Sequence, residues 1–268
     1  MRRATPSHLR RGAVVRVQSY NVGDGPDAAK VADLRRMVKA GAHVIGGQEF
    51  GDRPGVVAAF LREHPSWRVA WDSRSNPGRK TPILWDSRVG KRRMWRQVLA
   101  VAPGRWLGRG AGPSRSEPKN VNSLRIKTMA GPLRVLNTHL VPSAERGDIP
   151  AADRAARQRA WRAQASRFFR MALTSSAPVV GMGDWNAERG SSLFDGTTTP
   201  PKPKRVRGRL WTWDSTGPTH GARTIDLIGH VAHPRLRVID RGVMPTSSDH
   251  DSPWVEYEIQ PKRKKARR

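Results

Sequence analysis

The chain has no cysteine and only two tyrosines in 268 residues. Without cysteine there is no disulfide, no thiolate metal site and no cysteine nucleophile, and the compartment stays open because a cysteine-free protein works anywhere. No stretch approaches the ~20 uninterrupted apolar residues of a membrane span. Arg2, Arg3, Arg10 and Arg11 have no apolar run behind them, so no secretory signal is read and a cytoplasmic location is the expectation. Acids are scarce as well: 22 against 50 lysines and arginines, a net charge of +28.

Part of that charge sits at the ends. Residues 1–12 hold four arginines and the segment 261–268 six basic residues, neither with an acid, and removing those ten leaves +18 on the body. The ends are expected to be disordered, and residues 13–260 to form one catalytic domain. A body this basic implies a polyanionic partner, nucleic acid first. Contact with an anionic membrane surface, or mere solubility, would also account for it. A monomer is expected.

The valine-rich alternation of Ala13–Tyr20 reads as a strand, Asp27–Lys39 as a helix stopped by Gly41, and His43–Gly47 as a buried strand. Gly55–His64 reads as a helix, and Trp67–Trp71, Pro82–Asp86 and Trp95–Val101 as strands. The Gly-, Pro- and Arg-rich stretch from Ala102 to Asn120 reads as a loop. Val121–Met129 and Leu133–Leu140 read as paired strands. A long helix from Pro150 to Leu173 places Trp161, Ala165, Phe168 and Ala172 on one face. Pro178–Met182, Leu210–Asp214, Thr224–His230, Leu236–Arg241 and Trp254–Ile259 complete the strands. This is neither a βαβ repeat nor an all-β pattern, and it points to an α/β (α+β) domain of mixed sheets covered by helices.

The strands end on a particular kind of residue. Asn21, Glu49, His139, and Asp184 with Asn186 follow four of them, Asp226 interrupts an apolar one, and Asp249-His250 precedes the last. Singly each is ordinary: a Glu at a strand end is commonly solvated, and an Asp-His pair arises by chance. An Asp within an apolar strand is costlier to dismiss. Together they are what metal-assisted hydrolysis requires: hard oxygen ligands for Mg²⁺ or Mn²⁺, a base for water, and amides and imidazoles for phosphate oxygens.

The ordered set Ser19–Asn21 (SYN), Gln48-Glu49 (QE), Asn137–Leu140 (NTHL), Gly183–Asn186 (GDWN), Ile225–Ile228 (IDLI) and Ser248–His250 (SDH) resembles the endonuclease/exonuclease/phosphatase superfamily, with its deoxyribonuclease-I-like fold. Pancreatic-type deoxyribonucleases, abasic-site endonucleases, sphingomyelinases and inositol-polyphosphate 5-phosphatases belong to it. The resemblance implies a four-layered α/β/β/α sandwich of two mixed β-sheets flanked by helices. It implies that Glu49, helped by Asn21 and Asp249, holds the metal, Mg²⁺ or Mn²⁺. Asp184 would orient or deprotonate the attacking water, with Asn186 holding the water or a phosphate oxygen. Asp226 would fix the imidazole of His250, and His139 would donate to a phosphate oxygen. Nucleolytic members use a mid-chain tyrosine that this chain lacks, since Tyr20 and Tyr257 lie near its ends; Asn122 and Arg125 are the candidates to replace it, or are ordinary strand residues.

Two loops, Gly104–Lys119 and Lys202–Trp213, interleave cations with tryptophan. Arg205, Arg207 and Trp211 are the substrate-binding candidates there, because cations meet phosphates and indoles meet unstacked bases. Core packing is the competing account for Trp211 and Trp213. The function expected is a metal-dependent phosphodiester hydrolase, a nuclease acting on DNA or RNA. The alternatives are a phosphoesterase for phospholipid headgroups or small phosphorylated molecules, and a non-catalytic nucleic-acid binder.

Overall fold

The structure, a computed structural model, describes residues 12–75, 79–102, 105–107, 113–115, 117–145, 147–195 and 209–261. The basic ends expected to be disordered lie outside these residues, apart from Gly12 and Pro261. Two six-stranded mixed sheets pack face to face. The first contains β1 (Ala13–Asn21), β2 (Val44–Gln48), β3 (Trp67–Ala70), β4 (Ile83–Asp86), β13 (Leu236–Met244) and β14 (Ser252–Ile259), in the order β13-β14-β1-β2-β4-β3. The second contains β5 (Gly90–Val101), β8 (Lys119–Thr128), β9 (Gly131–His139), β10 (Val179–Asp184), β11 (Trp211–Trp213) and β12 (Asp226–Val231), in the order β11-β12-β10-β9-β8-β5.

Apolar residues on the facing sides, among them Val15, Val17, Leu124, Val135, Met182 and Val255, fill the space between the sheets. Helices α1 (Asp27–Lys39) and α2 (Pro54–Glu63) bury Leu34, Met37, Val57 and Phe60 on the outer face of the first sheet. Helix α3 (Ala151–Leu173) buries Trp161, Ala165, Phe168 and Ala172 on the outer face of the second. The result is the four-layered α/β/β/α sandwich expected. Central strands covered on both sides read as apolar runs rather than alternations, and β2, β4 and β10 are buried along their whole lengths.

Chain direction decides where the chemistry collects. Strands β1 and β2 run parallel through the α1 crossover, and β9 and β10 through α3. Asn21, Gln48, His139 and Asp184 therefore stand at the carboxyl ends of their strands, where open α/β sheets bind ligands. Just beneath, a polar pair bridges the sheets. Gln48 Nε2 donates to Asn137 Oδ1 at 2.8 Å, and Asn137 Nδ2 donates to the carbonyls of Gly47 and Pro82 at 2.7 and 2.9 Å. The sheets come so close here that a Cβ on Gly46 would lie 2.4 Å from the sulfur of Met182.

Two segments differ from the sequence reading. The stretch 102–120, expected as a loop, contains a small ribbon of β6 (Arg105–Leu107) and β7 (Pro113–Arg115), and its last residues open β8. Strand β5 begins at Gly90 rather than Trp95, because Lys91–Arg93 face solvent on an edge strand, where apolar alternation is not required.

Candidate active site

Both sheets contribute side chains to one seam. Asn21 and Glu49 follow β1 and β2 of the first sheet, and Asp249 and His250 sit on the turn into β14; His139, Asp184 and Asp226 come from β9, β10 and β12 of the second. Register brings the last two together: Asp184 pairs directly with Asp226, and with His139 on its other side. Both aspartates are buried.

His250 Nδ1 lies 2.7 Å from Asp226 Oδ2, which leaves Nε2 directed away from that carboxylate. Burial works against charge on this ring, but the hydrogen bond and charge of Asp226, with Asp184 and Asp249, raise its pKa to about 9. His250 is thus held as an imidazolium. Burial raises Asp184 to about 7, with the charge of Asp226 next in size and that of Glu49 adding to it. Donor atoms of Asp184, Asp226 and His250 lie within 4.8 Å of one another. His139 Nε2 stands 3.4 Å from Asp184 Oδ2 and 3.9 Å from Glu49 Oε1. Burial, together with the charges of Lys119, His250 and Lys80, lowers its pKa well below the ordinary value, so this ring is neutral.

Local backbone explains the aim of several groups. Glu49 has φ +64° and Asn186 φ +51°, left-handed conformations uncommon outside glycine. At Glu49 this turns the chain sharply off β2 and leaves the carboxylate 44% exposed at the mouth of the site. At Asn186 the turn is closed by its N–H donating to Asp184 Oδ1 at 2.8 Å, while its side-chain amide donates to the Leu140 carbonyl at 3.1 Å. Trp161 Nε1 of α3 holds the same turn through the Trp185 carbonyl at 2.6 Å.

Asn21 is engaged at both ends of its amide. Its oxygen accepts the Gly23 N–H at 3.0 Å, and its Nδ2 donates to Asp184 Oδ2 at 3.0 Å and lies 3.5 Å from Glu49 Oε1. It tethers two carboxylates. Asp249, exposed, sits beside His220, with His220 Nδ1 at 3.8 Å from its Oδ2. His220, which no sequence pattern marked, stacks on His250 with ring centroids 4.5 Å apart and accompanies Asp249 through that residue's carbonyl at 2.9 Å. The Thr219 hydroxyl accepts the N–H groups of Ile225 and Asp226 at 3.2 and 3.0 Å and so seats Asp226. Ser143, Asn186, His220, Arg223, Asp249 and His250 line an adjoining cavity of about 220 Å³. On the other flank Lys119, with Lys80, borders His139.

The remaining substrate candidates fall elsewhere. Asn122 is buried between the sheets, where its Nδ2 donates to the carbonyl and the hydroxyl of Thr81, a packing role that its inward position on β8 dictates. Arg125 lies opposite Arg134 on the outer face of the second sheet, several residues from the seam. Trp211 packs with Phe168 and Phe169 at 5.5 Å in the aromatic cluster under α3, so core packing claims it. Arg205 and Arg207 lie outside the described residues. Tyr20 and Tyr257 are buried and donate to Asp33 and Asp214 at 2.7 and 2.5 Å, away from the seam.

A donor set rich in hard oxygens fits a divalent cation. Buried Asp226 Oδ1 has no hydrogen-bond partner among the described residues, and the raised Asp184 reports negative charge crowded into a desolvated space. A cation would relieve both.

No curated protein sequence matches the chain significantly. Among solved structures it is similar to the endonuclease/exonuclease/phosphatase from Bacteroides vulgatus, with 15% identity, a TM-score of 0.68, and 92% of this chain and 99% of that one covered. It is similar to D. rerio TDP2 complexed with a single-strand DNA product, with 13% identity, a TM-score of 0.68, and coverage of 91% and 99%. It is also similar to a Bacteroides thetaiotaomicron mannosyl-6-phosphatase, with 14% identity, a TM-score of 0.62, and coverage of 91% and 99%. These likenesses establish the fold. The profile of the Endonuclease/Exonuclease/phosphatase family matches residues 19–250. With that match over most of its length, the chain belongs to the endonuclease/exonuclease/phosphatase family.

Proposed function

We propose that this chain is a divalent-metal-dependent phosphodiester hydrolase, a nuclease that cleaves DNA or RNA by attack of activated water on phosphorus. The observation that carries the reading is the pairing, within 4.8 Å, of a carboxyl raised to about 7 with an imidazolium held by Asp226. A carboxylate that takes up a proton near neutrality and an imidazolium that still holds one there are suited to base and acid roles.

In this reading ionised Asp184 takes a proton from water as the water oxygen bonds to phosphorus. The ester P–O bond on the far side breaks, and the departing oxygen receives the proton of His250 Nε2. Asp226 keeps the ring oriented, as a carboxylate does in other histidine-dependent hydrolases. Neutral His139 donates from Nε2 to a non-bridging oxygen, where fixed donors stabilise developing charge. Glu49 and Asp249 would hold Mg²⁺ or Mn²⁺, and Asn21 keeps Glu49 and Asp184 in place. A cation bound there polarises the phosphoryl oxygen and offsets the charge that accumulates on it.

Nucleic acid as substrate is supported by the charge of +18 on the body of the chain and by Lys119 and Lys80 beside His139. The test is degradation of supercoiled, linear, abasic-site and RNA substrates with Mg²⁺ and with EDTA. Cleavage should require the metal and be lost in Glu49→Ala and His250→Ala while DNA binding persists. Unchanged cleavage in both variants refutes the site. Hydrolysis of a lipid or inositol phosphate, with every nucleic acid left intact, refutes the substrate class.

A further inference from the structure

The outer face of the second sheet carries a set of cations that the active site does not use. Lys91 on β5 pairs directly with Lys127 on β8, and Arg125 on β8 pairs directly with Arg134 on β9. Arg96 on β5 pairs with Ser123, two residues from Arg125 and on the same face. Side chains directly opposite in an antiparallel pair have Cβ atoms about 4.5–5.5 Å apart, and like charges there are destabilising. Two such pairs on adjoining rungs, with a fifth cation beside them, run against what folding alone favours.

Nothing in the described structure neutralises them. None of the five forms an ion pair with a described carboxylate, and Lys91, Arg96 and Lys127 are exposed. Arg134 is half-buried where α3 ends: its Nη1 donates to the Met171 carbonyl at 2.8 Å and its Nε to Ser123 Oγ at 2.9 Å. Burial, then the charges of Arg125 and Arg96, weaken its hold on its proton, which reports how closely the three guanidinium charges crowd.

We propose that Lys91, Arg96, Arg125, Lys127 and Arg134 form a second binding surface, separate from the catalytic seam, for the phosphate backbone of a nucleic-acid strand. Charge complementarity selects a polyanion, and the shape of the face selects a strand over a membrane. The cations follow the strand direction in steps of two residues, about 6.7 Å, and the innermost are recessed beside α3. A flexible chain of phosphates reaches into such a recess. A plane of headgroups meets the exposed lysines and misses Arg134. Arg134 and His139 are five residues apart on β9 and so point to opposite faces of the sheet, with Val121 and Leu136 buried under α3 between them, which sets this surface apart from the seam.

The surface does not depend on the hydrolytic reading, and its test is kept apart from it. Binding of a fluorescent single-stranded oligonucleotide is measured in EDTA as a function of salt, for the full chain and for Lys91→Gln/Arg96→Gln/Lys127→Gln. Each phosphate contact contributes about 0.7 to the slope of log K against log salt for single strands. Removing three should flatten the slope by about 2 and weaken low-salt binding about tenfold or more. Relief of repulsion should leave Tm unchanged or raised, which separates loss of contact from loss of fold. An unchanged slope in a folded triple variant overturns the proposal even if the seam cleaves DNA. Phosphatidylserine vesicle binding that falls while the oligonucleotide slope stays the same overturns it in favour of a membrane. A flattened slope in a chain that cleaves no nucleic acid upholds the surface and refutes only the nuclease.

Discussion

Asp33 offers a sharp test of how the turn bearing Asp249 and His250 is fastened to the fold. One oxygen of this buried α1 carboxylate accepts the Tyr20 hydroxyl at 2.7 Å, the Ser247 N–H at 2.9 Å and the Ser247 hydroxyl at 2.6 Å; the other pairs with Arg36. Burial opposes ionisation of Asp33, but the hydrogen bonds from Ser247, Tyr20 and Arg36 prevail and hold its carboxyl below the ordinary value of 3.8. Asp33→Ala strands these donors and takes from the buried Lys30, whose Nζ lies 3.3 Å from the Ser247 carbonyl, the acid that acts on it most strongly, ahead of Asp249 and Asp24. Removing one partner from such a network costs about 3–5 kcal/mol. At roughly 2–4 °C per kcal/mol for a domain of this size, Tm should fall by roughly 6–20 °C. The pH dependence follows from the depressed pKa. The contribution of Asp33 is complete above the unfolded value of about 3.8 and is lost as pH falls through the lower folded value. Urea melts of both proteins should therefore show a constant gap from neutral pH down to about pH 5, closing below about pH 4. A gap under about 1 kcal/mol at neutral pH, or one that does not narrow in acid, refutes the reasoning.

Glu49→Gln should cut turnover by about 10²–10³ without lowering Tm, because the lost carboxylate otherwise crowds Asp184; initial rates and thermal melts together check this. Gly46→Val forces a side chain against Met182 and the Gln48–Asn137 bridge and should cost about 1–3 kcal/mol by denaturant melting. His43 is half-buried, and desolvation holds its pKa below 6.5; its Nδ1 accepts the Arg16 backbone N–H at 3.0 Å. Its neutral ring supports the fold fully above that pH, and the support declines as pH falls below it. His43→Gln should accordingly lose less stability than the parent between about pH 7 and 5.

Much of this molecule was legible in its sequence where burial imposes a period. The spacing of Val31, Leu34 and Val38 marked α1 to the residue, and the stripe from Trp161 to Ala172 marked the buried side of α3. The strand-end acids and imidazoles were legible because they fall in ordered motifs within the residues that the family profile matches. Other features had no period to carry them. The start of β5 is charged because an edge strand tolerates it, and β6 and β7 are too short to alternate. The inward direction of Asn122 and the outward one of Arg125 depend on which sheet face meets the partner sheet, which one strand in isolation does not state. His220 reaches the seam only because the turn before β12 folds back over His250, and the amide orientation of Asn21 is settled by the Gly23 N–H two residues on.

The Gln48–Asn137 bridge has a consequence for how this protein should fail. The proposed acid on the turn before β14 and the proposed base at the end of β10 are carried by different sheets, joined near the seam by a few amide contacts and a glycine-thin gap. A slip of one sheet over the other by a fraction of a side chain would leave both sheets, their helices and nearly all backbone hydrogen bonds intact while pulling His250 away from Asp226. Turnover is therefore a finer gauge of inter-sheet docking than any spectroscopic melt, and mild heat or denaturant should silence the chain before it unfolds.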